Sequence, residues 1–210
     1  PDIIQFQEVS PQMYDKLKSL KLFYPYNSGF NEPLNYFSSI ILSRYPLKNN
    51  EVINDYAFLT EVILDEAEFT IIGIHLSAPL NSILSRLIYT TRHKSLPLPS
   101  GLTQTNFKFA IKQMEYLKTL VENNNKNLII MCDLNMTAVS KRFTNFLKET
   151  NLYTYTSYKL PTPTWPTILP SFFGIQLDHV LFSENFKVID KKTFNHFGSD
   201  HRPLIVDLAF

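Results

Sequence analysis

Short apolar runs that end in a carboxylate or a histidine recur along this sequence, and they constrain the fold more than any other feature. Four runs lead into such a residue: residues 3–7 before Glu8, 70–74 before His75, 128–132 before Asp133, and 175–177 before Asp178. A further run, residues 204–206, follows shortly after Asp200 and His201. Runs of this length, bounded by polar residues, are typical of buried β-strands. Polar residues where buried strands emerge predict a functional site built on a rigid scaffold.

The composition is that of one globular domain with a sizeable core, since 44% of the 210 residues are hydrophobic and 19% are charged. A net charge of +1 excludes a global field that would hold a polyanion. Nucleic-acid binding would therefore need a local basic patch such as Arg86, Arg92, His93 and Lys94. The lone cysteine, Cys132, excludes an intramolecular disulfide and is predicted to be a core residue. The sequence leaves the cellular compartment open.

The order of the predicted elements indicates one α+β domain over residues 1–210. Residues 56–64 and 68–75 are rich in β-branched and aromatic side chains, and the short connection between them predicts a hairpin. Hairpins mixed with strand–helix units favour a layered sandwich over a purely parallel sheet. The chain begins at Pro1, so we expect it to be a processed or trimmed piece.

A short helix capped by Ser10 is predicted, a second over residues 107–121 from helical spacing, and a third over about residues 140–148. The segment 77–106 lacks periodicity and carries several prolines. A compact domain rarely keeps such a segment without a use, so we predict an inserted loop or lid that faces the substrate.

Four acids at predicted strand ends form the first set of candidate site residues: Glu8, Asp133, Asp178 and Asp200. Carboxylates that converge in one cleft repel each other unless a cation lies among them. Their hard oxygen atoms, together with the amide of Asn135, favour Mg²⁺ or Mn²⁺. The alternative is that these are ordinary surface acids that end strands.

The histidines form the second set. Asp178 is a natural partner for His201, because a carboxylate on one imidazole nitrogen orients the ring and raises the basicity of the other nitrogen. A histidine held in this way can take a proton from water that attacks phosphorus. His179 neighbours Asp178 and is expected to point to the opposite face of the strand as a structural residue. His93 and His196 have no acid partner in view and are interpreted as structural too.

Six ordered motifs resemble those of the deoxyribonuclease I-like endonuclease/exonuclease/phosphatase superfamily, and nearest a poorly characterised bacterial branch of it. They are PDIIQFQE at residues 1–8, SRYPL at 43–47, HL at 75–76, CDLN at 132–135, LDHV at 177–180 with TWP at 164–166 before it, and SDHRP at 199–203. The resemblance implies a four-layer α/β/β/α sandwich of two mixed sheets, with the site at one edge. It also implies a metal-dependent phosphoester hydrolase.

The resemblance assigns a role to each matching residue. Glu8 and Asp200 would bind or position the divalent metal. Asp133 would orient or deprotonate the attacking water and contribute to the metal site, while Asn135 would hold the scissile phosphate or the metal. The next two roles concern the histidines. His201, oriented by Asp178, would contact the phosphate, and His75 matches a candidate general acid for the leaving oxygen.

Two further residues are predicted to bind substrate. Arg44 lies in the SRYPL motif, and Trp165 is either a wall of the substrate cleft or a buried anchor. The resemblance also implies an opening strand with a metal- or phosphate-binding Asn before residue 1, and a Gly at the position of Cys132. On both counts this sequence departs from the pattern.

The predicted function is a phosphodiesterase acting on nucleic acid or a related phosphodiester. The alternatives are a lipid phosphodiesterase of sphingomyelinase type, a phosphomonoesterase, and a non-catalytic binding module on the same scaffold. The fold alone does not choose among them. We expect a monomer with no protein partner, and membrane association only through residues upstream of Pro1.

Overall fold

The computed structural model describes residues 1–28, 39–54, 57–64, 67–77, 102–124, 126–155, 162–194 and 198–210, with the backbone alone for residues 102–107. Most of the predicted inserted segment, residues 78–101, lies outside the described residues. So do the basic patch at residues 86–94 and His196.

Eleven strands and three α-helices are present in this part of the chain. The strands are β1 (Ile3–Phe6), β2 (Tyr26–Ser28), β3 (Ile40–Ser43), β4 (Leu47–Asn54), β5 (Ala57–Leu64), β6 (Ala67–His75), β7 (Leu128–Asp133), β8 (Tyr153–Thr154), β9 (Asp178–Phe182), β10 (Lys187–Thr193) and β11 (Leu204–Ala209). The helices are α1 (Pro11–Leu17), α2 (Leu102–Asn123) and α3 (Lys141–Thr150), with 3-10 turns at Lys18–Leu22 and Ser171–Phe173. None of the described helices has the length and apolar character needed to cross a membrane.

The largest sheet has six strands in the order β4-β5-β6-β7-β9-β8. Only β6 and β7 are parallel within it, which makes the sheet mixed. The predicted hairpin is confirmed, because β5 and β6 pair antiparallel from Ala57 opposite Ile74 to Leu64 opposite Ala67. The described strands also form an antiparallel group β1-β3-β2 and an antiparallel pair β10-β11.

One hydrophobic cluster lies between the large sheet and the helices α2 and α3. Met114 and Leu117 of α2 and Phe143 of α3 pack there against strand residues such as Ile72 and Ile130. Cys132 belongs to the same cluster, and its burial raises the pKa of the thiol well above the usual value. The prediction that Cys132 is a core residue is confirmed.

Two more clusters define the remaining layers. Ile41 of β3 and Leu208 of β11 pack on the other face of the large sheet, against side chains such as Phe58 and Ile71. The outer face of the small group packs on α1, where Leu17 meets Ile40 and Leu42, among others. The order of layers is therefore helix, sheet, sheet, helix, and the predicted α/β/β/α sandwich is confirmed.

Serine side chains cap two of the helices, and the cap at Ser10 is the predicted one. The Ser10 hydroxyl accepts a hydrogen bond from the Met13 amide at 3.2 Å, and the Ser140 hydroxyl accepts one from the Phe143 amide at 3.1 Å. α2 begins five residues earlier than its predicted start at residue 107, at Leu102. β9 begins at Asp178 instead of residue 175, because Ile175 pairs with Trp165 in an isolated bridge.

Candidate active site at one edge of the large sheet

Three of the predicted site residues lie in a single row across neighbouring strands. His75, the last residue of β6, is opposite Asp133, the last residue of β7. Asp133 is in turn opposite Asp178, the first residue of β9. Residues that stand opposite each other share one face of a sheet, so the register alone gathers the three side chains.

Asp133 is the buried centre of the row, with 6% of its surface exposed. Its Oδ1 accepts a hydrogen bond from the Asn135 amide at 2.8 Å, and Asn135 adopts the left-handed conformation with φ of 50°. Burial, followed by the nearby Asp178 carboxylate, raises the pKa of the Asp133 carboxyl well above its ordinary value. The ionised form of Asp133 is therefore destabilised, and a cation bound next to it would stabilise that form.

Asp178 and His201 form the predicted pair. The imidazole Nδ1 donates to Asp178 Oδ2 at 2.8 Å, and its Nε2 lies 3.8 Å from Asp133 Oδ2. Burial alone would lower the pKa of His201, but the hydrogen bond to Asp178 and the surrounding carboxylates outweigh it and raise this pKa to about 9. The ring is therefore protonated at neutral pH in the arrangement seen here.

Glu8 reaches the site from the other sheet. Gln7 donates from Nε2 to the carbonyl of Ile74 at 2.8 Å, which ties the end of β1 to the end of β6. Glu8 Oε1 consequently lies 3.7 Å from His75 Nε2, and that nitrogen is also 3.7 Å from Asp133 Oδ2. Burial lowers the pKa of His75 more than the Glu8 charge raises it.

The side chain of Asn135 also contacts His75. Its Nδ2 donates to the carbonyl of Leu76 at 2.8 Å and lies 3.4 Å from His75 Nε2. An amide group so placed suits an unprotonated Nε2 on His75, in keeping with the lowered pKa of this ring. The predicted neighbours Glu8, His75, Asp133 and Asn135 are thus brought together.

Within the described residues, one group offers ligand atoms close enough to share a metal ion. Atoms of Asp133, Asp178 and His201 all lie within 4.8 Å of one another. Glu8 stays outside this group with a side chain that is 63% exposed, although it contacts His75 at the border of the site. The two carboxylates of this group are ligands that Mg²⁺ and Mn²⁺ prefer, and the protonated His201 ring lies beside them.

The sequence matches the family described as Endonuclease/Exonuclease/phosphatase over residues 1–201. The chain belongs to this family. The family places it among metal-dependent phosphoester hydrolases of the phosphodiesterase and nuclease type. No match is found among the curated proteins.

Solved structures with the same fold come from several organisms. Beta toxin from Staphylococcus aureus, in a mutant with bound magnesium ions, has 18% identity and a TM-score of 0.62 over 97% of this chain and 85% of its own. Sphingomyelinase C from Streptomyces griseocarneus has 14% identity and a TM-score of 0.59 over 98% and 82%. TDP2 from D. rerio, complexed with a single-strand DNA product, has 12% identity and a TM-score of 0.63 over 100% and 86%. At these identities the likeness shows the fold.

Trp165 and Asp200, two further predicted site residues, lie next to each other and outside the row. Trp165 is buried against Leu177, and its Nε1 donates to Asp200 Oδ2 at 3.4 Å. These contacts match the interpretation of Trp165 as a buried anchor rather than a cleft wall. They also place Asp200 beside the tryptophan, outside the group of three ligand residues.

Arg44 is not brought to the site. Its guanidinium Nη1 lies 3.3 Å from Asp2 Oδ1, and its backbone pairs with Asp2 at the start of β1. Glu8 follows the other end of β1, and six extended residues span roughly 20 Å. The antiparallel pairing of β3 with β1 therefore carries Arg44 to the far edge, and its role in substrate binding stays a prediction.

His179 confirms the separation of the two faces. It is buried, its Nε2 donates to the Met136 carbonyl at 2.8 Å, and its Nδ1 lies 3.1 Å from Gln176 Nε2. Burial lowers the pKa of His179 to about 4. This ring is neutral and structural, as predicted.

Thr164 is a residue whose role the sequence did not reveal. Its buried hydroxyl accepts hydrogen bonds from the amides of Leu177 at 3.1 Å and Asp178 at 3.2 Å. Its carbonyl accepts from the amide of Arg202 at 2.7 Å. Thr164 thereby holds the start of β9 and the segment after His201 in one arrangement. The only sequence signal was a hydroxyl residue inside the TWP motif.

We expect Thr164→Val to lower kcat on a small phosphodiester about tenfold or more, with little change in KM, because the Asp178–His201 pair loses its fixed geometry. Thr164→Ser keeps the acceptor and should restore kcat. Steady-state hydrolysis of bis(p-nitrophenyl) phosphate measures both. A valine variant with the wild-type kcat, or a serine variant as slow as the valine one, would contradict this role.

Proposed function

We propose that this protein is a phosphodiesterase that hydrolyses its substrate at the His75–Asp133–Asp178 row, with His201 as the cationic residue of the site. The observation that carries the proposal is the 2.8 Å pair between Asp178 and His201, with the Nε2 of His201 turned toward buried Asp133. A cationic donor beside a carboxylate that can hold water or metal is what in-line displacement at phosphorus requires.

In the proposed reaction, the water oxygen forms a bond to phosphorus while the bond to the leaving oxygen breaks, and the leaving oxygen takes a proton from solvent. Asp133, which a bound cation would keep ionised despite its raised pKa, orients the water and takes its proton. His201 contacts the phosphate oxygens and stabilises their developing negative charge, since the Asp178 carboxylate favours its protonated form. We prefer this role to that of a general base, because a ring that already holds its proton cannot accept another.

His75 has a second role in the proposal. The resemblance suggests a general acid, but burial lowers the pKa of His75 and its Nε2 faces an amide group. We therefore propose that neutral His75 orients Glu8 and Asn135, and that Asn135 helps to hold the phosphate. Asp200 positions the segment that carries His201, because its side chain and backbone contact Trp165 and Thr167.

The residues present fit a divalent cation. Asp133 is buried with a raised pKa, and its Oδ2 and Glu8 Oε1 each lie 3.7 Å from His75 Nε2. We propose that Asp133 and Glu8 hold Mg²⁺ or Mn²⁺, with Asp200 nearby, and the magnesium-bound beta toxin structure supports this assignment by analogy of fold. A bound cation would supply Lewis acidity to the phosphate and lower the pKa of the attacking water.

The substrate class is proposed as a phosphodiester of nucleic acid or of a lipid headgroup. The same fold is seen in TDP2 with a DNA product and in sphingomyelinase C, so the fold does not choose between them. Cleavage of nucleic acid should fall steeply with added salt, whereas cleavage of lipid should depend on a lipid surface. A salt titration with each substrate separates the two.

The first test is hydrolysis of bis(p-nitrophenyl) phosphate with Mg²⁺, Mn²⁺ or EDTA. We expect turnover with either metal, loss of turnover with EDTA, and a much higher metal requirement in Glu8→Ala, because that variant loses a metal-facing carboxylate. Glu184→Ala is the matched control, since Glu184 is an exposed acid beyond the opposite end of β9 from Asp178.

Three results would change the proposal. Turnover that persists in EDTA would exclude the metal role. Hydrolysis of p-nitrophenyl phosphate alone would indicate a phosphomonoesterase. The absence of all turnover in folded protein would favour the non-catalytic binding module.

A further inference from the structure

The segment between Pro166 and Ile175, which we call the apolar loop, exposes large apolar side chains beside the site. Ile168 is 65% exposed, Phe172 is 77% exposed and Phe173 is 65% exposed, and Ile175 is also exposed. The two phenylalanine rings lie 4.3 Å apart between centroids. No charged residue occurs from position 162 to position 177. Contiguous exposed apolar surface of this kind marks an interaction site.

The apolar loop is held firmly on the segment that carries His201. The Thr167 amide donates to the Asp200 carbonyl at 2.9 Å, and its hydroxyl donates to the Ser199 carbonyl at 2.9 Å. Arg202 is buried, and its Nη1 and Nη2 donate to the carbonyls of Pro166 at 3.1 Å and Leu169 at 2.6 Å. The exposed side chains are therefore presented by a braced backbone next to the site.

A second segment with an exposed apolar side chain follows the same sheet edge. Val139 is 71% exposed and comes six residues after Asp133, at the end of β7 where the site lies. Exposed apolar side chains thus come from two segments, one after β7 and one before β9, whose neighbouring strands both contribute to the row. Both segments connect to strands of the row, and the apolar loop is also bonded to the segment that carries His201.

We infer that the apolar loop docks this protein on a lipid bilayer surface. The inference rests on the proposed phosphodiesterase function and names the surface on which its substrate is presented. Exposed phenylalanine and isoleucine side chains gain free energy on entering the headgroup–acyl boundary, and an uncharged loop has no desolvation cost of ions there.

The charge of the apolar loop also favours a lipid surface over single-stranded nucleic acid as its binding partner. Single-stranded nucleic acid needs cations along its backbone and flat side chains for stacking, but the apolar loop has no cation and two of its exposed side chains are aliphatic. A cation stands at the base of the loop, where Lys191 Nζ donates to Thr162 Oγ1 at 3.2 Å. The Asp200 carboxylate, which accepts from Trp165 Nε1 at 3.4 Å, balances this lysine, and an uncharged apolar tip suits the headgroup–acyl boundary.

The test is flotation of the protein with phosphatidylcholine vesicles, without and with anionic lipid. We expect the wild type to float with the vesicles and Phe172→Ser/Phe173→Ser to bind roughly tenfold less or weaker, because two exposed rings no longer enter the interface. Leu22→Ser/Phe23→Ser is the matched control. These residues are equally exposed, at 92% and 66%, but lie before β2, whose Tyr26 pairs with Ser43 at the far end of β3. The control should float as the wild type does.

Hydrolysis of bis(p-nitrophenyl) phosphate by the same proteins distinguishes this inference from the proposed function. The phenylalanine variant should hydrolyse this soluble substrate at the wild-type rate, so a loss of vesicle binding with intact turnover supports docking by the apolar loop. Docking is overturned if the wild type does not float, or if both double variants float equally well or equally poorly. It is also overturned if the phenylalanine variant loses binding to a single-stranded oligonucleotide instead of to vesicles.

Discussion

His201→Ala is expected to lower kcat on bis(p-nitrophenyl) phosphate by about a thousandfold or more while the protein stays folded. The reason is that the variant removes the one imidazole that is held by Asp178 at 2.8 Å and turned toward Asp133. The ring is partly exposed and lies outside the hydrophobic clusters, so its loss should change the melting temperature little. Normal turnover in this variant would defeat the mechanism.

Asp178→Asn gives the matched test of the pair. An amide preserves the shape of the side chain but no longer favours the imidazolium, so kcat should fall by roughly a hundredfold or more. If the two residues act as one unit, the double variant should be no slower than His201→Ala alone. Additive losses would show that Asp178 and His201 act separately.

Gly73→Ala should destabilise the protein by about 3 kcal/mol or more. Gly73 stands opposite Phe58 in the β5–β6 ladder, and a Cβ at position 73 would lie 2.0 Å and 2.2 Å from ring atoms of Phe58. That ring is buried between the two sheets, so moving it would disturb the side chains packed around it. Denaturant unfolding would measure the loss, and a melting temperature lower by roughly 6 to 12 °C should accompany it.

Two comparisons make this prediction specific. Phe58→Leu removes the obstructing ring, so the double variant Gly73→Ala/Phe58→Leu should be more stable than the sum of the two single losses predicts. Gly198→Ala adds a Cβ with nothing within 4 Å, at a glycine with φ of 91°. Its cost should be only about 1–2 kcal/mol, from the backbone conformation. Equal losses at positions 73 and 198 would contradict the steric explanation.

The strand ends of the site were predictable from the sequence because they follow buried apolar runs. A run such as Leu128–Asp133 is apolar until its last residue, which marks both the strand and the point where it emerges. The pairing of Asp178 with His201 was also predictable from the chemistry of an acid and an imidazole. The row itself was not, since it depends on which strands become neighbours and in which register.

Two strands, β4 and β10, lack an apolar run that would have predicted them from the sequence. β4 and β10 are rich in lysine, asparagine and acidic residues and lie at sheet edges, so their strand conformation comes from ladder hydrogen bonds rather than from an apolar period. Arg44 shows a second limit. It belongs to a motif shared with the site, but the antiparallel pairing of β3 with β1 carries it to the opposite edge. Motif membership does not reveal the direction of a strand.

The row of His75, Asp133 and Asp178 has a consequence for how this enzyme acquires activity. A shift of one residue in the pairing of β7 with either neighbour would turn a member of the row to the helix-covered face. Partly assembled or mispaired chains should therefore be inactive even when they are compact and rich in strand. The rate at which turnover returns during refolding would then report the rate at which these strands, some fifty residues apart in the chain, pair in the correct register.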